Sequence, residues 1–345
     1  MVALSTGCTP RVEVSYKKWA EPGQQYVPDQ SSGNAFDTYL TIAKVTEQKD
    51  PGACRQVSFT NPAKKAIMRS LAGPIKRLNQ ATGLSCQFVY RCAGAFEAHP
   101  GSRGWRLLGR ALVWMIEDAV ERGDFSSAVR TCLVATKFGQ DLTQGDAQTA
   151  SLGITISDEA RRALLPGFKQ LSVAQSNQLY AGLAKILSQR AGLSTTVGHE
   201  AERMKLGVQF IQDCKESENY DNLTAKFGKT ARSATDYLRG LDDTKVQEYF
   251  EGLMEAMDQV SKHWTQEIDK PMVSRRKHSF GEGTRIYEKF VSAFASSLPS
   301  LAKMADENLA HTRILAVSAW AFSRSRMGVA PDDLSKLPAS LVTDP

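Results

Sequence analysis

The feature that most constrains the fold of this chain is the helical spacing of its apolar residues. In the last third, apolar side chains recur at intervals of three and four residues: Val246, Phe250, Leu253, Met257, Val260 and Trp264. This spacing places them along one face of an α-helix. Apart from short ambiguous pieces near 12–16 and 153–156, the chain lacks the period-two alternation and turn dipeptides of strands. The sequence therefore predicts an all-α fold.

The segment 105–145 contains two amphipathic patterns separated by a break at Gly123-Asp124. The first apolar face comprises Trp105, Leu108, Leu112, Met115, Ile116 and Ala119, and the second comprises Phe125, Ala128, Val129, Cys132, Thr136 and Gly139. A short break between two such helices is typical of an antiparallel helical hairpin. We therefore expect Leu112, Met115, Val129 and Cys132 to lie in the core.

Several residues mark the ends of helices. In Asn61-Pro62, Asn can cap free backbone N–H groups, and Pro already has a helical φ. Ser172 and Gln175 have the spacing of a capping box. Gly328 is expected to end the last long helix.

The stretch 309–322 is apolar on nearly every side, which predicts a helix buried among its neighbours. Its most apolar part, 314–322, is about half of the roughly 18 residues that a membrane-spanning helix needs. The sequence therefore predicts no transmembrane helix.

Composition divides the chain into three parts. Residues 1–32 are rich in Pro, Gly, Ser and Gln and are expected to form an extended arm, 33–330 form the helical domain, and 331–345 form a C-terminal tail. The net charge of +6 is small for 345 residues. It weakly favours anionic partners and gives no strong nucleic-acid signal.

Two local patterns resemble known helical proteins. The segment 121–128, Glu-Arg-Gly-Asp-Phe-Ser-Ser-Ala, resembles the turn of tetratricopeptide-type hairpins. The closing pattern resembles that of a group of bacterial helical envelope proteins and a shortened form of the pseudopilin C-terminal pattern: Gly328, Pro331, Leu334, Leu337, Pro338, Leu341, Asp344 and Pro345. The resemblance implies packed antiparallel hairpins in a tetratricopeptide-like bundle or short solenoid, and it implies a fold more than an activity.

Cys8 is a candidate lipidation site. The residues before it, Met1 to Gly7, resemble the end of a bacterial lipoprotein signal, in which the cysteine is lipidated after cleavage. An ordinary disordered start is the alternative. Lipidation would place the protein at the bacterial cell envelope, outside the cytoplasm, and otherwise we expect a cytoplasmic protein.

The basic run Arg275, Arg276 and Lys277 is a candidate contact for an anionic surface, with an ordinary solvated run as the alternative. No cofactor or metal is predicted. The five histidines are scattered singly, and neither glycine-rich stretch has the spacing of a nucleotide-binding loop. No nucleophile can be paired with a base from the sequence, so no catalytic residue is predicted.

These observations favour a non-enzymatic protein-interaction or scaffold protein with an unidentified protein partner. Grooves between helical hairpins can hold an extended segment or a helix of another protein. Two alternatives remain open: an enzyme whose site lies between helices, and a module that binds anionic polymers or membrane surfaces.

Overall fold

The structure, a computed structural model, describes residues 28–29, 33–89, 94–227, 232–279, 287–329, 337–338 and 341. Every regular element within these ranges is a helix, which confirms the all-α prediction. The α-helices are α1 Ala35–Lys49, α2 Asn61–Ser70, α3 Ala72–Ala81, α4 Ser102–Glu121, α5 Phe125–Leu142, α6 Ala147–Leu164, α7 Val173–Ser188, α8 Ser194–Glu216, α9 Tyr220–Phe227, α10 Arg232–Gly240, α11 Asp243–Glu267, α12 Glu288–Ala295 and α13 Ser297–Arg326.

Polar side chains begin several of these helices. The capping box at α7 is confirmed, because Ser172 Oγ accepts from Gln175 N while Gln175 Oε1 accepts from Ser172 N. At α2 the expected cap was wrong by one residue. Thr60 caps the helix through its side chain, and Asn61 is the first helical residue. Both Thr and Asn can accept from a free N–H, so the sequence did not decide between adjacent positions.

The helices enclose two hydrophobic cores. The first core is built from α1 to α7 and the C-terminal half of α13, and the second from α8 to α12 and the N-terminal half of α13. Helices α6 and α13 contribute to both cores. The expected apolar face of α11 is confirmed, since Val246, Phe250, Leu253, Met257, Val260 and Trp264 are all buried in the second core.

The α4–α5 pair follows the hairpin expectation. Gly123 takes a left-handed conformation, φ +74°, which favours glycine and lets the chain reverse between the two helices. Leu112, Val129 and Cys132 are buried as expected. Met115 is half-buried, because it lies at the edge of the first core.

Helix α6 packs on α5 through two glycines. A Cβ built on Gly153 would lie well inside contact distance of the Gly139 carbonyl oxygen, and a Cβ on Gly139 would meet the Gly153 oxygen in the same way. The two backbones therefore touch at this crossing. The ambiguous piece 153–156 is part of this helix.

The expectation that α13 is buried on nearly every side is only partly right. Leu309, Leu315, Ala316, Ala319 and Trp320 are buried, but Ile314 is 62% exposed. Helix α13 packs against α6 and α7, so the opposite side faces solvent. None of the helices in the described ranges combines the length and hydropathy that a bilayer crossing requires.

The structure describes part of the C-terminal tail but only two residues, 28–29, of the N-terminal arm. Cys8 and residues 1–27 lie outside the described residues. Of the tail, Leu337 and Leu341 are buried against the first core. Cys54, Cys86, Cys132 and Cys214 carry free thiols.

Candidate functional site

A groove runs between α2–α3 on one side and α4–α5 on the other. Helix α2 ends at Ser70, and the chain continues into α3 after Leu71, whose side chain is fully buried. This anchor holds both short helices on the body of the protein. Helix α2 buries only Ile67, so much of its length remains at the surface beside α4.

The floor of the groove is apolar. Its side chains come from all four helices: Met68, Ile75, Leu112, Met115, Ala119 and Val134. Met68 and Met115 are half-buried and line the groove, so part of each side chain is accessible there. Methionine suits such a position because its flexible, polarisable side chain adapts to different partner surfaces. The cavity has a volume of about 780 Å³.

The rim of the groove is strongly basic. It carries one carboxylate, that of Asp118, and five cationic side chains. The cationic residues are Lys65, Arg69, Lys76, Arg122 and Arg130. Arg122 Nε lies 2.9 Å from Asp118 Oδ2, which neutralises that pair. Within the described part of the chain, Lys65, Arg69, Lys76 and Arg130 form no ion pair, and all four are exposed. We call this surface the basic groove.

The combination of floor and rim limits what the groove can hold. A cationic rim in solvent attracts acidic groups and repels basic ones. The apolar floor stabilises a partner that buries aliphatic side chains between those acidic groups. An acidic amphipathic segment has both properties.

The sequence-predicted basic run lies elsewhere, after α11. Arg275 forms a bidentate pair with Asp306, with Nη1–Oδ2 at 2.6 Å and Nη2–Oδ1 at 2.8 Å. Its charge is therefore neutralised, whereas Arg276 and Lys277 are exposed. The structure does not bring these three residues together with the basic groove. Anionic contact at Arg276 and Lys277 stays a prediction, as does lipidation at Cys8, which lies outside the described residues.

A buried polar cluster joins α1 to α5. The Tyr39 hydroxyl donates to Asp141 Oδ2 at 2.8 Å, and Lys137 pairs with the other carboxylate oxygen. Burial raises the pKa of the Asp141 carboxyl, and the Lys137 ammonium opposes that rise. Tyr39 and Asp141 are almost completely buried. The cluster therefore holds the two helices together and offers no open surface to a substrate.

A second buried group is His99, whose ring stacks on Trp105 with centroids 4.6 Å apart. Its Nδ1 accepts from the Gly101 N–H at 3.2 Å, which requires an unprotonated Nδ1. Burial lowers the pKa of His99 to about 4, partly opposed by Asp146 and reinforced by His199 and Lys44.

We expect His99 to make the folded state less stable in acid. The unfolded chain takes up this proton near pH 6.5, while the folded protein resists it down to about pH 4. Stability is therefore lost as the pH falls through this window, by up to roughly 3 kcal/mol. Urea denaturation at several pH values should show that the free energy of unfolding falls less steeply with decreasing pH in His99→Gln than in the wild type. Equal slopes would mean that His99 does not contribute.

The described residues contain no group of three or more His, Cys, Asp or Glu side chains placed to hold a metal ion. Comparison of the chain with protein-family models, curated protein sequences and solved structures gives no match.

Proposed function

We propose that this protein is a helical interaction module whose basic groove binds an acidic amphipathic helix of a partner protein. The observation that carries the proposal is the apolar floor with a rim of five cations and one carboxylate. The proposal extends to the whole chain as a non-enzymatic scaffold.

The shape of the groove favours a helix as its occupant. Helix α4 has 20 residues and α5 has 18. The part that lines the groove is shorter, 112–122 at the end of α4 and 127–134 of α5. At about 1.5 Å per residue, it offers roughly 15 Å, about three turns of a bound helix. Helices that bind in such grooves insert apolar residues at positions i, i+3, i+4 and i+7. Acidic residues beside that stripe would meet Arg69 and Lys76.

The proposal extends the resemblance to tetratricopeptide proteins, in which stacked helix pairs form binding grooves. Its support here is the consecutive packing of α4, α5 and α6 and the short turn at Gly123. Attachment to the envelope through Cys8 is a separate part of the proposal and rests on the sequence pattern alone. The enzyme and anionic-surface alternatives stay predictions.

Charge reversal on the rim tests the proposal. The probe is a synthetic helix of about 15 residues, four turns long, with a leucine stripe flanked by glutamates. We expect Arg69→Glu/Lys76→Glu to weaken its binding by about tenfold or more, close to 1.4 kcal/mol, because two attractive contacts become repulsive. Fluorescence anisotropy at physiological ionic strength, where the Debye length is about 8 Å, measures the affinity.

The matched control is Lys262→Glu/Lys289→Glu, which changes the net charge equally at exposed positions on α11 and α12, helices that do not line the groove. Its affinity should stay within about twofold of the wild type, because exposed charges beyond a Debye length are largely screened. Equal losses in both double variants would show that the peptide responds only to net charge. A peptide with glutamine in place of glutamate should bind more weakly.

A further inference from the structure

A second cleft lies where the two hydrophobic cores meet. It is about 680 Å³ in volume and is lined by α4 and α6 on one side and by α8 and the start of α13 on the other. Pockets of this size accommodate small organic molecules. None of its lining residues belongs to the basic groove.

Three arginines line this cleft, and we call it the arginine cleft. Arg106 and Arg110 are four residues apart on α4, so they share a face of that helix. Arg110 Nη1 donates to the Gln56 carbonyl at 2.6 Å, whereas Arg106 is exposed and forms no ion pair among the described residues. Among the described residues that line the cleft, Glu159 carries the one carboxylate.

The third arginine, Arg203 on α8, lies beside the buried carboxylate of Glu200. Glu200 is fully buried, and its Oε1 accepts from Ala147 N at 2.7 Å. Its Oε2 lies 3.5 Å from Arg203 Nε, which is an ion pair without a hydrogen bond. Glu200 therefore positions Arg203 at the cleft without accepting a hydrogen bond from it.

Hydroxyl groups add polar contacts on the α13 side. Ser297 and Ser300 line the cleft, and the buried Ser297 Oγ forms no hydrogen bond within the described structure. A buried hydroxyl without a partner carries a free-energy cost. A bound oxyanion would accept hydrogen bonds from arginine and serine donors alike.

Part of the remaining wall is apolar, and Gln148, Ser151 and Thr155 of α6 add polar side chains to it. The Phe96 side chain is 38% exposed and stands with its ring edge-to-face against Phe210 and Phe227, at centroid distances of 5.2 Å. Leu152, Leu301 and the thioether of Met304 complete the apolar part of this wall. Aromatic rings and methionine sulfur both make favourable contacts with an aromatic ligand.

We propose that the arginine cleft binds a small aromatic molecule that bears one carboxylate or phosphate group. The oxyanion pairs with Arg106 and Arg203, and the ring packs between Phe96 and Met304. Carboxylate and phosphate share the geometry that arginine recognises with two parallel hydrogen bonds. This ligand would contact both cores at once.

Calorimetric titration with four probes tests the proposal on the full chain. Naphthoate and naphthyl phosphate carry both the ring and the anion, naphthol lacks the anion, and inorganic phosphate lacks the ring. We expect one or both anionic naphthyl compounds to bind at least tenfold more tightly than naphthol or inorganic phosphate. The ratio of the dissociation constants of naphthoate and naphthyl phosphate identifies the preferred anionic group.

Single substitutions locate the binding. Arg106→Gln changes an exposed side chain and should weaken binding of the preferred compound by about tenfold, the loss of one charge-assisted contact. Arg203→Gln should do the same, and circular dichroism checks that it folds. Arg69→Gln, in the basic groove, should leave binding unchanged.

Three results would overturn the proposal. Equal binding of naphthol would remove the role of the anion, and unchanged affinity in both Arg106→Gln and Arg203→Gln would place the ligand elsewhere. Loss of binding in Arg69→Gln would assign the compounds to the basic groove. None of these results depends on whether a helix binds in that groove.

Discussion

Replacing Trp105 with alanine should destabilise the protein by about 3–5 kcal/mol. The indole is fully buried in the first core and stacks on His99. Its Nε1 donates to the Tyr39 carbonyl at 3.0 Å. Alanine would leave a cavity and would remove this hydrogen bond, and each adds to the cost. The free energy of unfolding from urea denaturation measures the effect.

Trp105→Phe separates the two contributions in part, because phenylalanine keeps much of the packing while it lacks the N–H donor and the second ring of the indole. We expect its cost to lie below that of alanine, at about 1–2 kcal/mol, which combines one lost hydrogen bond with the smaller ring. A decrease of less than about 1 kcal/mol in the free energy of unfolding of Trp105→Ala would show that the ring is not part of a packed core.

Alanine at Gly153 should also destabilise strongly, although alanine normally favours a helix. The new Cβ would overlap the backbone of α5 at Gly139, so the two helices would have to move apart. Overpacking of this kind costs about 1–3 kcal/mol and more where backbone must shift. We expect a net loss of about 2 kcal/mol or more, measured by urea denaturation.

Gly198 provides the matched control because it also lies within a helix, α8, and a Cβ there would meet nothing within 4 Å. Gly198→Ala should stabilise the protein by about 0.5–1 kcal/mol through helix propensity alone. Glycine-to-alanine substitution is thus expected to have opposite effects on the free energy of unfolding at the two positions. Stabilisation at both positions would contradict the close crossing of α5 and α6.

Local patterns predicted the helices well where a single segment determines the outcome. The spacing of Val246 to Trp264 requires only one helix and one core, and the Ser172–Gln175 capping box requires only neighbouring residues. Segment 153–156 was ambiguous because Ile154, Thr155 and Ile156 are β-branched and favour strands. Packing of Gly153 against Gly139 is a tertiary contact, and it overrides that local preference.

Neither cleft could be found from the sequence. Arg69 and Lys76 are ordinary surface residues of short helices until α2 and α3 pack beside α4 and α5. Arg106 and Arg203 are about a hundred residues apart and meet only because both cores share α6 and α13. The run of Arg275 to Lys277 was conspicuous because its charges are adjacent in sequence, yet Asp306 from α13 neutralises its first member.

Methyl NMR of the methionines locates the bound acidic helix most directly. Met68 and Met115 lie in the floor of the basic groove, Met304 lines the arginine cleft, and Met204 and Met257 are buried in the second core. On titration with the synthetic helix, we expect the methyl signals of Met68 and Met115 to shift while those of Met204, Met257 and Met304 stay in place. A shift confined to Met304, or no shift at Met68 and Met115 when binding is saturated, would contradict binding in the basic groove.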